Sequence, residues 1–459
     1  MAKSITQDTH NDKQISTKIK NFIAMNHVGA ALKNANAYKH KGFSALAIFQ
    51  YLFILVFSNR SMYMDMLTGR NTPSFGKDTI YRFMNAVHIN WTRFTSILSA
   101  RIIMERVDPL TGKDRNSAFV IDDSVFERLR SQKVELLTRI YDHAKKVYLF
   151  GFRMLTLGWT DGNTFIPVNS VLLSSENEKN RINEATTLDK RTVGHKRRQL
   201  SMQKATQAMM TLLKSAKQAG ILAQYVLFDS WFTSPSTIHS ISKLSYHVVA
   251  MVKKSAKMYF RYQGTDMSLK EIYNRNKKRR GRSRYLLSAL VEVMKDGESI
   301  PAKVVYVRNR AKRKEYLCII STNIDLDEDE IIRIYGKRWD IEVFFKVCKS
   351  YLRLSKECRS LSYDAMTAHV AIVFTRYMML AIEERQEKDI RSLGELFLRT
   401  ADELADITWI QAFRLILDVF MNTISDRLGL TESLLNELLE AFISAIPQDI
   451  RTKLIPLSA

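Results

Sequence analysis

Three acidic positions in this chain stand where side-chain chemistry could be done. Asp122 and Asp123 end the apolar part of SAFVIDDSVF (117–126), Asp229 ends that of QYVLFDSW (224–231), and Glu342 lies in YGKRWDIEVFFKVCK (335–349). The first two stretches read as strands, and the ends of strands in α/β sheets are where ligands and reacting groups are commonly placed. Each position alone says little, because an aspartate after a strand is also a common turn former or cap. Together they offer the oxygen donors that Mg²⁺ prefers. Three such carboxylates gathered by folding could hold two divalent ions about 3.5–4 Å apart, an arrangement that clamps the attacking and leaving oxygens of an in-line phosphoryl displacement.

The stretch around Glu342 predicts a helix. On an α-helical wheel Tyr335, Arg338, Glu342 and Lys349 share an arc of roughly 60°, and Ile334, Ile341, Phe345, Cys348 and Leu352 form an apolar stripe of about that width beside it. The segment thus buries one edge and presents a line of polar groups next to it. Arg338 and Glu342 are also four apart, so an ordinary solvated ion pair is the plainer reading of that line.

Charge narrows the partners. Of 459 residues, 70 are lysine or arginine and 47 are aspartate or glutamate, a formal net charge of +23. This excess fits a polyanion, whose phosphates are neutralised with release of counterions, although a ribosome-associated or membrane-surface protein would share it. The three cysteines, Cys318, Cys348 and Cys358, form no C-x-x-C pair, which argues for a reducing cytosol and against a zinc site. The first 22 residues lack the apolar core of a secretory signal. The greasy runs at 43–57, which holds Gln50, and at 369–382, which holds His369 and Arg376, are short for a membrane span and read as buried helices.

The elements that must position these residues follow an order. Residues 1–112 read as helical. A helix starting near Asp78 turns Ile80, Phe83 and Met84 inward and Lys77, Arg82 and Arg93 outward. With the helix near 43–57 it resembles a helix-turn-helix DNA reader, a plain helical bundle being the alternative. Residues 113–252 give a strand at 117–126, two strands around a turn at Asp161–Gly162, and one long basic helix at roughly 185–218. A strand at 224–231, a short helix after Pro235 and a strand at 246–252 follow. This alternation predicts an α/β core with a mixed sheet. Residues 253–330 read as a β-rich insertion carrying a basic cluster of Lys277, Lys278, Arg279, Arg280, Arg282 and Arg284. Residues 331–360 return to the core with the glutamate helix, and 361–459 form a helical, less basic tail.

The spacing Y-x2-R-x3-E-x6-K, met by Tyr335, Arg338, Glu342 and Lys349, resembles the signature of cut-and-paste insertion-sequence transposases of the DDE type from bacteria. Trp339, Ile341, Phe344 or Phe345, and Lys346 fit around it, and VIDDS and VLFDSWF are similar to that family's first and second aspartate motifs. The resemblance runs from about 115 to 355. It implies an RNase H-like core in which two aspartates and a glutamate bind two Mg²⁺ ions, with Mn²⁺ as a substitute. It favours Asp123 as the first ligand, because Ser124 follows it, and leaves Asp122 as the alternative; Asp229 and Glu342 complete the set. Double-stranded DNA is the implied partner, as transposon-end inverted repeats and as target. The implied reaction is cleavage through a hairpin intermediate and then joining.

The same resemblance gives the remaining residues roles on DNA. Arg338 could fork onto a phosphate, Lys349 act as a point charge on another, and Tyr335 donate its hydroxyl. A flipped base would stack on an aromatic ring; Tyr316 stands where relatives tend to have tryptophan, and Trp339 is the other candidate. The 277–284 cluster would meet the backbone. Synapsis of two ends implies a homodimer, and the setting is a bacterial cytoplasm, near the nucleoid and without a membrane. A structure-specific endonuclease on the same core and a catalytically silent DNA-binding descendant remain as alternatives.

Overall fold

The structure, a computed structural model, describes residues 18–385 except 40, 58–61, 63–72, 113–114, 131, 144, 256, 280–282 and 310–314, together with 434, 437 and 441. Four strands come first: β1 (Ala118–Glu127), β2 (Thr138–Asp142), β3 (Val147–Thr160) and β4 (Phe165–Leu173). β1 and β3 pair antiparallel from Ala118↔Thr160 to Glu127↔Gly151, and β4 lines the far edge of β3. The β3–β4 turn is locked by Asp161, whose Oδ1 accepts from the backbone N–H groups of Asn163 and Thr164 at 2.8 Å each. Gly162 follows at φ 89°, where a side chain would be strained. β5 (Tyr225–Phe228) and β6 (His247–Val252) then add in parallel, giving β4–β3–β1–β5–β6. Three antiparallel strands followed by two parallel ones make this the mixed sheet of an RNase H-like core.

β2 was not anticipated. TRIYD buries Thr138, Ile140 and Asp142 and exposes Arg139 and Tyr141, a period of two over only five residues. It pairs with the start of β3.

Residues 253–330 extend the same sheet. β7 (Tyr259–Tyr262), β8 (Thr265–Ser268), β9 (Tyr285–Lys295), β10 (Glu298–Arg308) and β11 (Tyr316–Ser321) carry it outward, and β11 pairs antiparallel with β6. Among the described residues the result is one eleven-stranded sheet. Asp296 and Gly297, both at positive φ, make the tight β9–β10 hairpin that a two-residue turn requires.

The N-terminal helices are α1 (Val28–Asn34), α2 (Ala45–Ile54), α3 (Lys77–Met84) and α4 (Trp91–Ile102). In α3, Ile80 and Phe83 are buried, Met84 is half-buried, and Lys77 and Arg82 are exposed; Arg93, expected on the same helix, is exposed on α4 instead. Asp78 does not cap this helix. Gly76 is the cap residue and Asp78 sits in the first turn, where its charge suits the helix dipole. Most of the connection between α2 and α3 lies outside the described residues.

The long basic helix expected at 185–218 is two helices, α5 (Val193–Ser201) and α6 (Ala205–Gln218). The Thr192 hydroxyl accepts from His195 N–H and starts α5 there, and Lys204 is extended between the two. The basic face is not all solvated: Arg197 and Arg198 are buried on Asp364, and Arg198 also holds Glu135 at 2.6 Å. Three further helices, α7 (Pro235–Ser242), α8 (Leu269–Arg275) and α9 (Glu328–Gly336), accompany the sheet, and α9 packs on β6 and β11. α10 (Trp339–Ser350) lies against β1 and β4.

α11 (Tyr363–Arg385) is long and apolar enough to cross a membrane by length and composition, and it lies buried in the protein against β4, α4 and α2. It carries His369, whose Nε2 is buried without a hydrogen-bond partner. Burial pushes the His369 pKa down to about 4. The same ring titrates near 6.5 when unfolded. Between these values the unfolded chain binds the extra proton, so stability is whole above about pH 6.5 and falls as the pH drops toward 4. Urea unfolding should therefore give a value about 2 kcal/mol lower near pH 5 than near pH 7 from this residue, a component that His369→Gln should lack. Equal pH dependence in the two proteins would refute the assignment.

Candidate active site

The parallel pairing of β1 and β5 brings two of the acids together. Ile121 is in register with Phe228, so Asp122 and Asp229 are the next residues on neighbouring strands and leave the sheet on the same side. Asp123 faces the other way, where Arg153 on β3 donates to it through Nε. Glu342 comes from α10. Arg338, at the start of that helix, spans the gap, with Nη1 donating to Asp122 Oδ2 at 3.0 Å and Nη2 to Glu342 Oε1 at 2.6 Å. Arg338 thus joins Asp122 to Glu342, Asp229 stands next to Asp122 on the neighbouring strand, and Asp123 is outside the group.

The signature segment is not one helix. α9 ends at Gly336 and α10 begins at Trp339, with Lys337 and Arg338 between them. Both linking residues keep right-handed helical angles, so the polar line survives the break. Buried Lys337 donates through Nζ to the carbonyls of Asn116 and Asp161, and Thr160 donates to Asp340 at 2.7 Å. These contacts tie the start of α10 to the end of β3 and so fix where Arg338 and Glu342 stand. Ile341, Phe344, Phe345 and Cys348 are buried beneath it.

Electrostatics mark Asp122. Burial, with Asp123 and Asp229 adding repulsion, pushes its pKa up to about 7, against the lowering effects of the Asp123 N–H and Arg338. Tyr335 stands beside it, its phenol pushed up to about 12 by burial, with the charges of Asp229 and Asp122 adding to the rise. The Tyr335 hydroxyl and the Thr156 hydroxyl, the latter opposite Asp122 in the β1–β3 register, are both buried without a hydrogen-bond partner. Two buried hydroxyls beside two carboxylates are chemically suited to a polar or cationic group. Among the described residues no three His, Cys, Asp or Glu side chains are gathered closely enough to hold a metal ion. Arg338 occupies the position between Asp122 and Glu342.

The other expected residues are dispersed. Lys349 is half-buried near Glu127 and Asp142, and burial lowers its pKa. Trp339 is 61 % exposed on the first turn of α10. Tyr316 is stacked on Tyr273 at 4.1 Å, with the Lys254 ammonium 4.6 Å from its ring centre, so a base could stack there only by displacing one of them. In the basic cluster Lys277 is exposed, Lys278 lies over Tyr273, Arg279 over Tyr285, and Arg284 faces Asp329 at 4.0 Å. Arg280 and Arg282 lie outside the described residues.

The sequence model of the DDE superfamily endonuclease family matches residues 50–315, more than half of the chain. The chain belongs to the DDE superfamily endonucleases. No curated protein matches it. The matched stretch contains β1 to β10 with Asp122, Asp123 and Asp229, and stops before the helix that carries Glu342. Membership in this superfamily supports an endonuclease activity with DNA as the substrate, and its members use divalent metal ions. Asp229 directly follows the end of β5, Asp122 lies where the β1–β5 pairing stops, and Glu342 reaches them from α10.

Asp122 stood in the sequence reading as the alternative to Asp123, because the side on which a strand residue emerges is fixed only once its partner's register is known. A set of exposed rings near Asp229, Trp231 among them, was missed. The W of FDSWF and the two tyrosines in TRIYDHAKKVYLF were the signal.

Proposed function

We propose that this DDE endonuclease is a cut-and-paste transposase of the insertion-sequence type, cleaving transposon ends and joining them to target DNA through a hairpin intermediate. The observation that carries the reading is the Arg338 bridge. It brings the middle of the Tyr335–Arg338–Glu342–Lys349 signature onto Asp122, beside Asp229.

Asp122, Asp229 and Glu342 would hold the divalent ions, Mg²⁺ or Mn²⁺, with Asp122 taking the place first expected of Asp123. Hard carboxylate oxygens and two orphaned hydroxyls suit such a cation. The ions when bound would supply Lewis-acid stabilisation of the attacking and leaving oxygens. Arg338 offsets the repulsion between the Asp122 and Glu342 carboxylates. It is placed to turn its fork onto a DNA phosphate once they have another counter-charge. Tyr335 directs a hydroxyl donor into the same space, and Lys349 offers a point charge one helix length away. We place the N-terminal helices, residues 1–112, as the DNA reader, 253–330 as the insertion that grips the backbone through its basic cluster, and residues 361–459 as the dimerisation region. Of that last region the structure describes the part up to 385 and three later positions. The setting is the bacterial cytoplasm, close to the nucleoid.

Purified protein should cut and then join short duplexes carrying the inverted repeats that flank its gene, in Mg²⁺ and not in EDTA. Products joined to a target plasmid support a transposase. Cleavage without joining would leave the plain endonuclease, and binding without cleavage a silent descendant.

A further inference from the structure

At the carboxyl end of the sheet, over the carboxylates, four aromatic rings form a chain. Tyr148 and Tyr141 are direct cross-strand partners on β3 and β2, their ring centres 5.0 Å apart. Tyr141 meets His143 at 4.9 Å, and His143 meets Trp231 at 5.0 Å. Trp231 is the second residue after Asp229, so the chain starts at the active site and leads away from it along the sheet's end. The rings are open to solvent: Trp231 is 57 % exposed, Tyr148 61 % and Tyr141 38 %. Both end rings carry a cation over them, Lys253 Nζ 3.2 Å from the Trp231 ring centre and the Arg139 guanidinium 4.2 Å from that of Tyr148, and a base stacking on that face would displace the cation toward its own phosphate.

Such a row is costly to leave in water without a use. Large aromatics do not gather on a basic surface for solubility, and these four bury little against the core. Successive π-faces flanked by cations are what an unpaired nucleic-acid strand needs, because every base offers a face for stacking and every linkage a phosphate. A duplex offers its rings only at its ends. We propose that Tyr148, Tyr141, His143 and Trp231 form a platform for consecutive unpaired DNA bases, with Lys253 and Arg139 meeting the phosphates on either side. Binding is insensitive to sequence, since stacking reads no base edge. The platform receives the strand separated from its complement next to the reacting phosphate. The inference rests on the DNA-cleaving reading and deepens it.

The test uses full-length protein, a fluorescent oligo-dT and a mixed-sequence duplex, read by anisotropy. Trp231→Ala and Tyr148→Ala should each weaken oligo-dT binding about tenfold or more. The ratio of oligo-dT to duplex affinity should fall with them. Trp231→Phe and Tyr148→Phe, which keep a π-face, should retain most of the affinity. Oligo-dT should also quench tryptophan fluorescence in the wild type, and Trp231→Phe should remove that quenching. Unchanged oligo-dT affinity in both alanine variants, with the wild type still binding and cutting duplex, overturns the platform alone. A wild type that binds neither oligo-dT nor duplex overturns the platform and the DNA reading together.

Discussion

Replacing Asp122 by asparagine is expected to lower metal-dependent DNA cleavage by about a thousandfold or more, and Asp123→Asn by no more than about tenfold. The contrast follows from one register. Ile121 opposite Phe228 places Asp122 beside Asp229 and turns Asp123 to the other face of the sheet, onto Arg153. Asp122 also shares Arg338 with Glu342, so it is tied to the third acid through a single side chain. Asp123→Asn leaves that triangle whole and costs only part of an ion pair that is partly open to solvent. Single-turnover cleavage at saturating Mg²⁺ separates the two variants, with duplex binding as the check that Asp122→Asn still engages its substrate. A thousandfold loss in Asp123→Asn with Asp122→Asn still active would reverse the assignment of the site.

Arg376→Met should destabilise the protein by about 3–5 kcal/mol, the cost of stranding the partners of a buried charge. Arg376 has no exposed surface. Its guanidinium donates to Glu357 at 2.6 and 3.2 Å and to the carbonyls of Leu52 and Phe53 in the last turn of α2. One cation therefore satisfies a buried carboxylate and the negative end of a helix dipole at once. Burial works against ionised Glu357, and Arg376 is what holds that carboxyl below its usual range. Methionine fills much of the volume and none of these bonds. Glu357→Gln in the same chain should return part of the loss, because no charge is then left without a counter-charge. Urea unfolding of the single and double variants measures both; a change under about 1 kcal/mol in the single variant would mean the contact is dispensable.

The sequence showed the site more clearly than it showed the details. The strand end before Asp229 was visible because an apolar run stops there, whereas β1 runs past Asp122 to Glu127; the polar line of Tyr335, Arg338, Glu342 and Lys349 was visible because a helical wheel is local geometry. The face on which Asp122 or Asp123 emerges is not local. It depends on a strand about a hundred residues later. The break at Lys337–Arg338 was hidden for a similar reason, since the contacts of Lys337 with Asn116 and Asp161 exist only after folding. Arg197 and Arg198 were legible only as part of a basic helix; Asp364 and Glu135, brought from distant segments, turn them inward. β2 was lost because five residues give too few repeats for alternation to stand out.

The antiparallel seam between β11 and β6 has a mechanical consequence. Hydrogen bonds across it join peptide groups of Cys318–Ser321 to those of Val249–Val252, so β11 cannot slide along β6 without breaking them together. A shortened variant without residues 253–321 would bare the outer edge of β6, whose unpaired N–H and C=O groups would recruit another chain. Truncation should therefore yield filaments or precipitate before it yields a smaller enzyme.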